Sequence, residues 1–179
     1  MPQRCLFVKH PRKADLMSAT VSLGGYCCTS PTAPDLFTNV LTGTVPVSFP
    51  VGSLHSVTTL AVIPASFDIT ADQITETSAV AARATSGSFN GVVYDFSDLS
   101  SPITNVTVDP LSTIIPVRVA FTDHSVDVNV AGLSVAAGGK YILDVTTGGV
   151  VATPEPSSIA LVGVGLAGLA TIRRRRSRR

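Results

Sequence analysis

The sequence predicts a mainly β protein: an antiparallel β-sandwich-like domain followed by a single C-terminal transmembrane helix. Three observations carry that expectation. The 179 residues are 45% apolar, yet they hold no Trp and few aromatics and are heavy in Thr, Ser, Val, Gly and Pro. That mixture suits pleated strands joined by many turns. The middle of the chain alternates apolar and polar residues with the period of a strand. The last thirty or so residues then change character, to a proline-flanked acid, an uncharged apolar run and a block of arginines.

The clearest strand is Ser125 to Ala131. It would put His124, Val126, Val128 and Val130 on one face and Asp123, Ser125, Asp127 and Asn129 on the other, with the polar face in solvent. Tyr141 to Val145 alternates as well, and Val57 to Ile63, Gly91 to Phe96, Ile103 to Val108 and Ile114 to Phe121 are further strands. Asn90-Gly91 reads as a hairpin turn. Asp109-Pro110, Ala131-Gly132 and Gly138-Gly139 punctuate the rest. The Ala-rich stretch Thr75 to Ala84 fits a helix or a strand equally well. Strands recurring at such short intervals indicate a sandwich.

The expected organisation is a β domain over 45–147, a flexible link over 148–153 and a tail over 154–179. Residues 1–44 are expected to be a disordered export region, degenerate or wrongly started. Residues 4–13 are basic enough to begin an export signal, but Leu16 to Cys28 is interrupted by polar residues, and Tyr26 stands where a lipobox needs a small one. All three cysteines, Cys5, Cys27 and Cys28, precede the expected domain, so no structural role is expected for them.

The net charge of +1 hides an asymmetry. Residues 1–13 carry Arg4, Lys9, Arg12 and Lys13, and residues 173–179 carry six arginines. Between them Arg83, Arg118 and Lys140 face all twelve acids, leaving −9 over residues 14–172. An acidic body argues against nucleic acid as a partner, which needs a basic face.

Catalytic motifs are missing. Neither G-x-S-x-G nor H-E-x-x-H occurs, and no cysteine falls inside the expected domain. Asp123 and His124 are neighbours on an expected strand and so point to opposite faces; His124 reads as a core or boundary residue. Asp95 and Asp98 could begin a calcium loop, but the glycine and the distant glutamate of an EF-hand are absent. Gly163, Gly165 and Gly168 match G-x-G-x-x-G inside the apolar run, with no second strand or acid after them, so a dinucleotide site is rejected. No metal site, catalytic residue or cofactor is expected, and the chain is read as non-enzymatic.

The tail is the most informative stretch. Pro154 and Pro156 hold the backbone extended and block helix formation, and Glu155 resists entry into lipid. Residues 157–172 are uncharged. The run Ile159 to Ile172 spans about 21 Å as a helix, short of a hydrocarbon core of roughly 30 Å. Two serines before it and snorkelling arginines after it extend the reach. Arg173, Arg174, Arg175, Arg176, Arg178 and Arg179 would hold the C-terminus in the cytoplasm.

This order of motif, short apolar helix and arginine cluster resembles the PEP-CTERM sorting signal of Gram-negative bacteria, over residues 153–179. Pro154, Glu155 and Pro156 match the motif itself. The resemblance implies an exosortase as partner, a membrane-embedded transpeptidase that cuts near the motif and passes the protein to the cell surface. It also implies the bilayer as a partner through 157–172, and a link to exopolysaccharide and biofilm. More loosely, Ser86 to Val145 resembles a module common in such proteins. The expected role is an exported surface or matrix protein; the alternative is a surface-tethered module binding calcium or polysaccharide.

Overall fold

The computed structural model describes residues 16–28 and 35–148. These residues form strands and no helix. In chain order the strands are β1 (Thr20–Cys27), β2 (Asp35–Thr44), β3 (Val47–Phe49), β4 (Ala65–Ile69), β5 (Gln73–Ser78), β6 (Ala82–Arg83), β7 (Asn90–Ser97), β8 (Ile103–Val108), β9 (Arg118–Phe121), β10 (Ser125–Asn129), β11 (Ser134–Val135) and β12 (Lys140–Thr147). One sheet runs β2-β1-β7-β10-β9 and a second runs β3-β4-β5-β12-β8, with every pairing antiparallel. A small ribbon pairs β6 with β11.

The strand period places one face of each sheet inward. The first sheet contributes Val21 and Leu23 from β1, Tyr94 and Phe96 from β7, and Val126 and Val128 from β10. The second contributes Phe67 and Ile69 from β4, Ile74 from β5, and Tyr141, Leu143 and Val145 from β12. These side chains make one buried cluster, so the two sheets share a core. Each large side chain so buried stabilises the fold by about 1.5–3 kcal/mol relative to exposure.

Several expectations hold closely. The strands expected at 91–96, 103–108, 125–131 and 141–145 all form. Asp109-Pro110, Ala131-Gly132 and Gly138-Gly139 are turns, and Gly132 and Gly138 take the positive φ that favours glycine. Thr75 to Ala84 resolves as strand rather than helix, because β5 fills the place between β4 and β12.

Others are corrected. Residues 16–28 and 35–44 are not a disordered leader, since β1 is an interior strand of the first sheet and β2 is its neighbour. Polar Ser22 and Tyr26, which spoil the stretch as an export signal, occupy the positions between inward-facing Val21, Leu23 and Cys27. Cys27 is buried and bonded to Cys28, so these two cysteines do belong to the folded body.

Asn90-Gly91 is not a hairpin turn but the start of β7. A Cβ at Gly91 would sit 1.8 Å from the Val128 carbonyl oxygen, so the glycine serves close approach to β10 rather than a reversal. The stretch 57–63 is not a strand. There the Thr58 N–H donates to Ser56 Oγ and the Leu60 N–H to Thr58 Oγ1, so local side-chain bonds replace a ladder. Of Ile114 to Phe121 only β9 pairs as strand, because the Thr113 and Ile114 N–H groups donate to the Lys140 carbonyl instead.

His124 is exposed in the turn between β9 and β10, not at the core. Asn129, expected on the solvent face, is buried. Its Oδ1 accepts from the N–H groups of Asn90 (3.2 Å) and Ala131 (3.0 Å), and its Nδ2 donates to the Ser88 carbonyl (3.0 Å). The transmembrane helix expected at 157–172 lies outside the described residues. Among the described residues no helix is long and apolar enough to cross a membrane.

Candidate functional site

Period two on β5 directs Ile74, Glu76 and Ser78 toward the core, so one charged side chain enters an apolar interior. Its directly opposed partner on β12 is Tyr141. The Tyr141 hydroxyl donates to Glu76 Oε2 at 2.6 Å. Tyr94, reaching across from β7 in the other sheet, brings its hydroxyl to 2.7 Å from that of Tyr141. A phenol has one proton to give. With Glu76 ionised, that of Tyr141 goes to the carboxylate and Tyr94 donates to Tyr141, so all the hydrogen bonds point toward Glu76.

Burial pushes the Glu76 carboxyl up to about 7, against the opposing pull of the Tyr141 hydrogen bond. Burial also raises both tyrosine hydroxyls well above their usual value, and the nearby Glu76 charge raises them further. Glu76 is tightly surrounded but keeps some accessible surface, because it lines a cavity of about 320 Å³. β1 supplies Gly25 and Cys27 to that cavity, β7 supplies Gly91 and Val92, and β4 supplies Phe67. The segments 60–64 and 82–85 close it with Val62, Ile63 and Arg83, and β2 adds Phe37 and Thr38.

β1 is irregular where it lines the cavity. Its register with β2 shifts between Gly24 and Tyr26, a bulge. The Gly25 N–H is taken instead by Thr38 Oγ1 at 2.7 Å. A Cβ at Gly25 would come 2.7 Å from Thr38 Cγ2, so a larger residue there would force Thr38 out of its place.

On the opposite face of the first sheet, Asp95 and Asp127 are both raised above the usual carboxylate range. Burial is the main cause for each, and for Asp127 the Asp95 charge adds while Arg118 opposes. Asp95 belongs to β7, and Asp98 follows it with φ 60° in the left-handed region. Among the described residues no group of three or more His, Cys, Asp or Glu side chains is gathered as a metal ion needs.

Of the residues singled out from sequence, Pro154, Glu155, Pro156 and the arginines 173–176, 178 and 179 lie outside the described residues. Glu76 was missed. The signal for it was weak: a lone acid in Gln73-Ile74-Thr75-Glu76-Thr77, which carries weight only once its strand and inward face are known.

A family model, the PEP-CTERM protein-sorting motif, matches residues 152–176. The match takes in Pro154-Glu155-Pro156, the uncharged run and the first four arginines. The class so defined is a mainly β chain bearing a C-terminal sorting motif. That motif points to a cell-surface protein processed by an exosortase. No curated protein and no solved structure matches the chain.

Proposed function

We propose that this chain is a non-enzymatic, exported surface or extracellular-matrix protein whose tail is recognised and cut by an exosortase. The observation that carries the reading is the sorting motif at 152–176. Residues 157–172 span the bilayer before processing, and Arg173 to Arg179 hold the C-terminus on the cytoplasmic side. Pro154-Glu155-Pro156 then stays extended just outside the lipid, within reach of the enzyme. The acidic body suits an external position, in a matrix of exopolysaccharide. A non-catalytic β domain is supported by the use of its buried carboxyl, which is engaged in a hydrogen-bonded chain between the sheets.

The test is intact-protein mass spectrometry of the protein recovered from its host's surface fraction. The expected result is loss of the residues after about Pro156, with any new C-terminal substituent read from the mass. An intact tail on surface-recovered protein overturns the processing reading.

A further inference from the structure

We propose that the cavity between the sheets binds a small amine with an apolar body, whose ammonium group pairs with the Glu76 carboxyl. This goes beyond the sorting reading and does not depend on it. The cavity of about 320 Å³ is walled by Phe37, Val62, Ile63, Phe67 and Val92, with Glu76 among them. That volume lies at the low end of ligand pockets, roughly 300–1,000 Å³, so the ligand is small.

The carboxyl lacks what such a ligand would bring. Its Oε2 accepts from Tyr141, and enclosure leaves it above the ordinary range, as a carboxyl without a nearby counter-charge behaves. The titratable groups facing it are Tyr141 from β12 and Tyr94 from β7, both neutral across the physiological range. Arg83 of β6 lines the same cavity but is exposed at its edge, and Cys27 is disulfide-bonded. A buried anion is expensive until a cation meets it. An ammonium supplies that cation, a neutral hydroxyl supplies only a hydrogen bond, and a ligand carboxylate adds a like charge.

The experiment is calorimetric titration of the full chain with phenethylamine, 2-phenylethanol and 3-phenylpropionate, at pH 5 and pH 8. Phenethylamine is expected to bind at least tenfold more tightly than the alcohol at pH 8, and the acid weakest of all. Its affinity should rise about 90-fold from pH 5 to pH 8 as the carboxyl ionises, while that of the alcohol stays flat. Glu76→Gln should remove the amine preference and leave the alcohol unaffected, and Ala82→Phe, which fills the cavity, should weaken both. Equal binding of amine and alcohol, no amine binding at millimolar concentration, or an amine affinity unchanged by Glu76→Gln overturns the proposal. Should Glu76→Gln not fold, the wild-type pH comparison decides: an amine-specific rise supports the site and its absence refutes it.

Discussion

The hydroxyls of Tyr94 on β7 and Tyr141 on β12 stand 2.7 Å apart, and this bond joins one sheet to the other across the core. Both side chains are almost wholly buried, at 0% and 1% exposure, so neither hydroxyl can turn to water for a partner. Each needs the other, and Tyr141 also needs Glu76. The chain of contacts therefore fixes register as well as contributing energy. A one-residue slip of β12 against β5 would carry Tyr141 to the outer face and strand both remaining groups.

Removing the Tyr141 hydroxyl should hurt more than removing that of Tyr94. Tyr141→Phe leaves the Glu76 carboxyl and the Tyr94 hydroxyl both unpartnered, and we expect a loss of about 2–4 kcal/mol in urea unfolding. Tyr94→Phe leaves the Tyr141–Glu76 bond intact and should cost about 1 kcal/mol. Equal losses in the two variants would show that the chain of bonds does not run toward Glu76.

The stability of the protein should fall as pH rises from about 4.5 to about 7. The Glu76 carboxyl is raised to about 7 in the fold from an ordinary 4.5, so the folded state holds its proton more firmly than the unfolded chain does. The stabilisation is fully present below the unfolded value and is lost through the folded one. Its size is on the order of 3 kcal/mol. Glu76→Gln should flatten this dependence, raising the melting temperature at pH 8 by several degrees with little change at pH 4. Parallel melting curves for the two proteins from pH 4 to pH 8 would count against it.

Gly91→Ala should be among the most damaging single-methyl additions in the chain. The new Cβ would meet the Val128 carbonyl oxygen at 1.8 Å, and only separation of β7 from β10 relieves that contact. We expect a loss of more than about 3 kcal/mol. Gly52→Ala is the control: open space surrounds it, and its φ of 86° should cost about 1 kcal/mol. Thermal unfolding of both variants checks the contrast.

Glu155→Ala and Pro156→Ala should block removal of the tail while leaving the melting temperature of the β domain unchanged. The motivation is the sorting motif at 152–176, downstream of β12. Mass spectrometry of surface-recovered protein, with thermal unfolding of the same samples, makes the comparison. Normal trimming in both variants would refute the assignment of these residues.

Period-two alternation makes β7, β10 and β12 legible in sequence, because Tyr94 and Phe96 flank Asp95, Val126 and Val128 flank Asp127, and Leu143 and Val145 flank Asp144; in β8 the alternation covers only Val106, Thr107 and Val108. β1 is hidden by its two glycines and by Cys27 at its end. Gly24 and Gly25 break the apolar rhythm at the point where the bulge occurs, and pairing to β7 some seventy residues away supplies what local pattern lacks. The segment 57–63 has strand-like composition, but its hydroxyls bond its own backbone. Nothing local distinguishes Glu76 from the other exposed-looking acids. Its partners lie 65 residues away on β12 and, through Tyr141, on β7 in the facing sheet, so the site appears only when the chain is folded. The tail is the reverse case: motif, apolar run and arginines are contiguous, so sequence alone displays them.

β1 lies between β2 and β7, and Thr20 pairs with Ser97. In the same way β5 waits for β12, with Gln73 opposite Asp144. Each sheet thus takes strands from both halves of the chain, and a nascent piece ending before residue 90 has neither sheet complete. Non-local pairing of this kind closes slowly. The first sheet therefore lacks a member until β10 is made, and the second until β12, so the shared core is the last thing the chain can close.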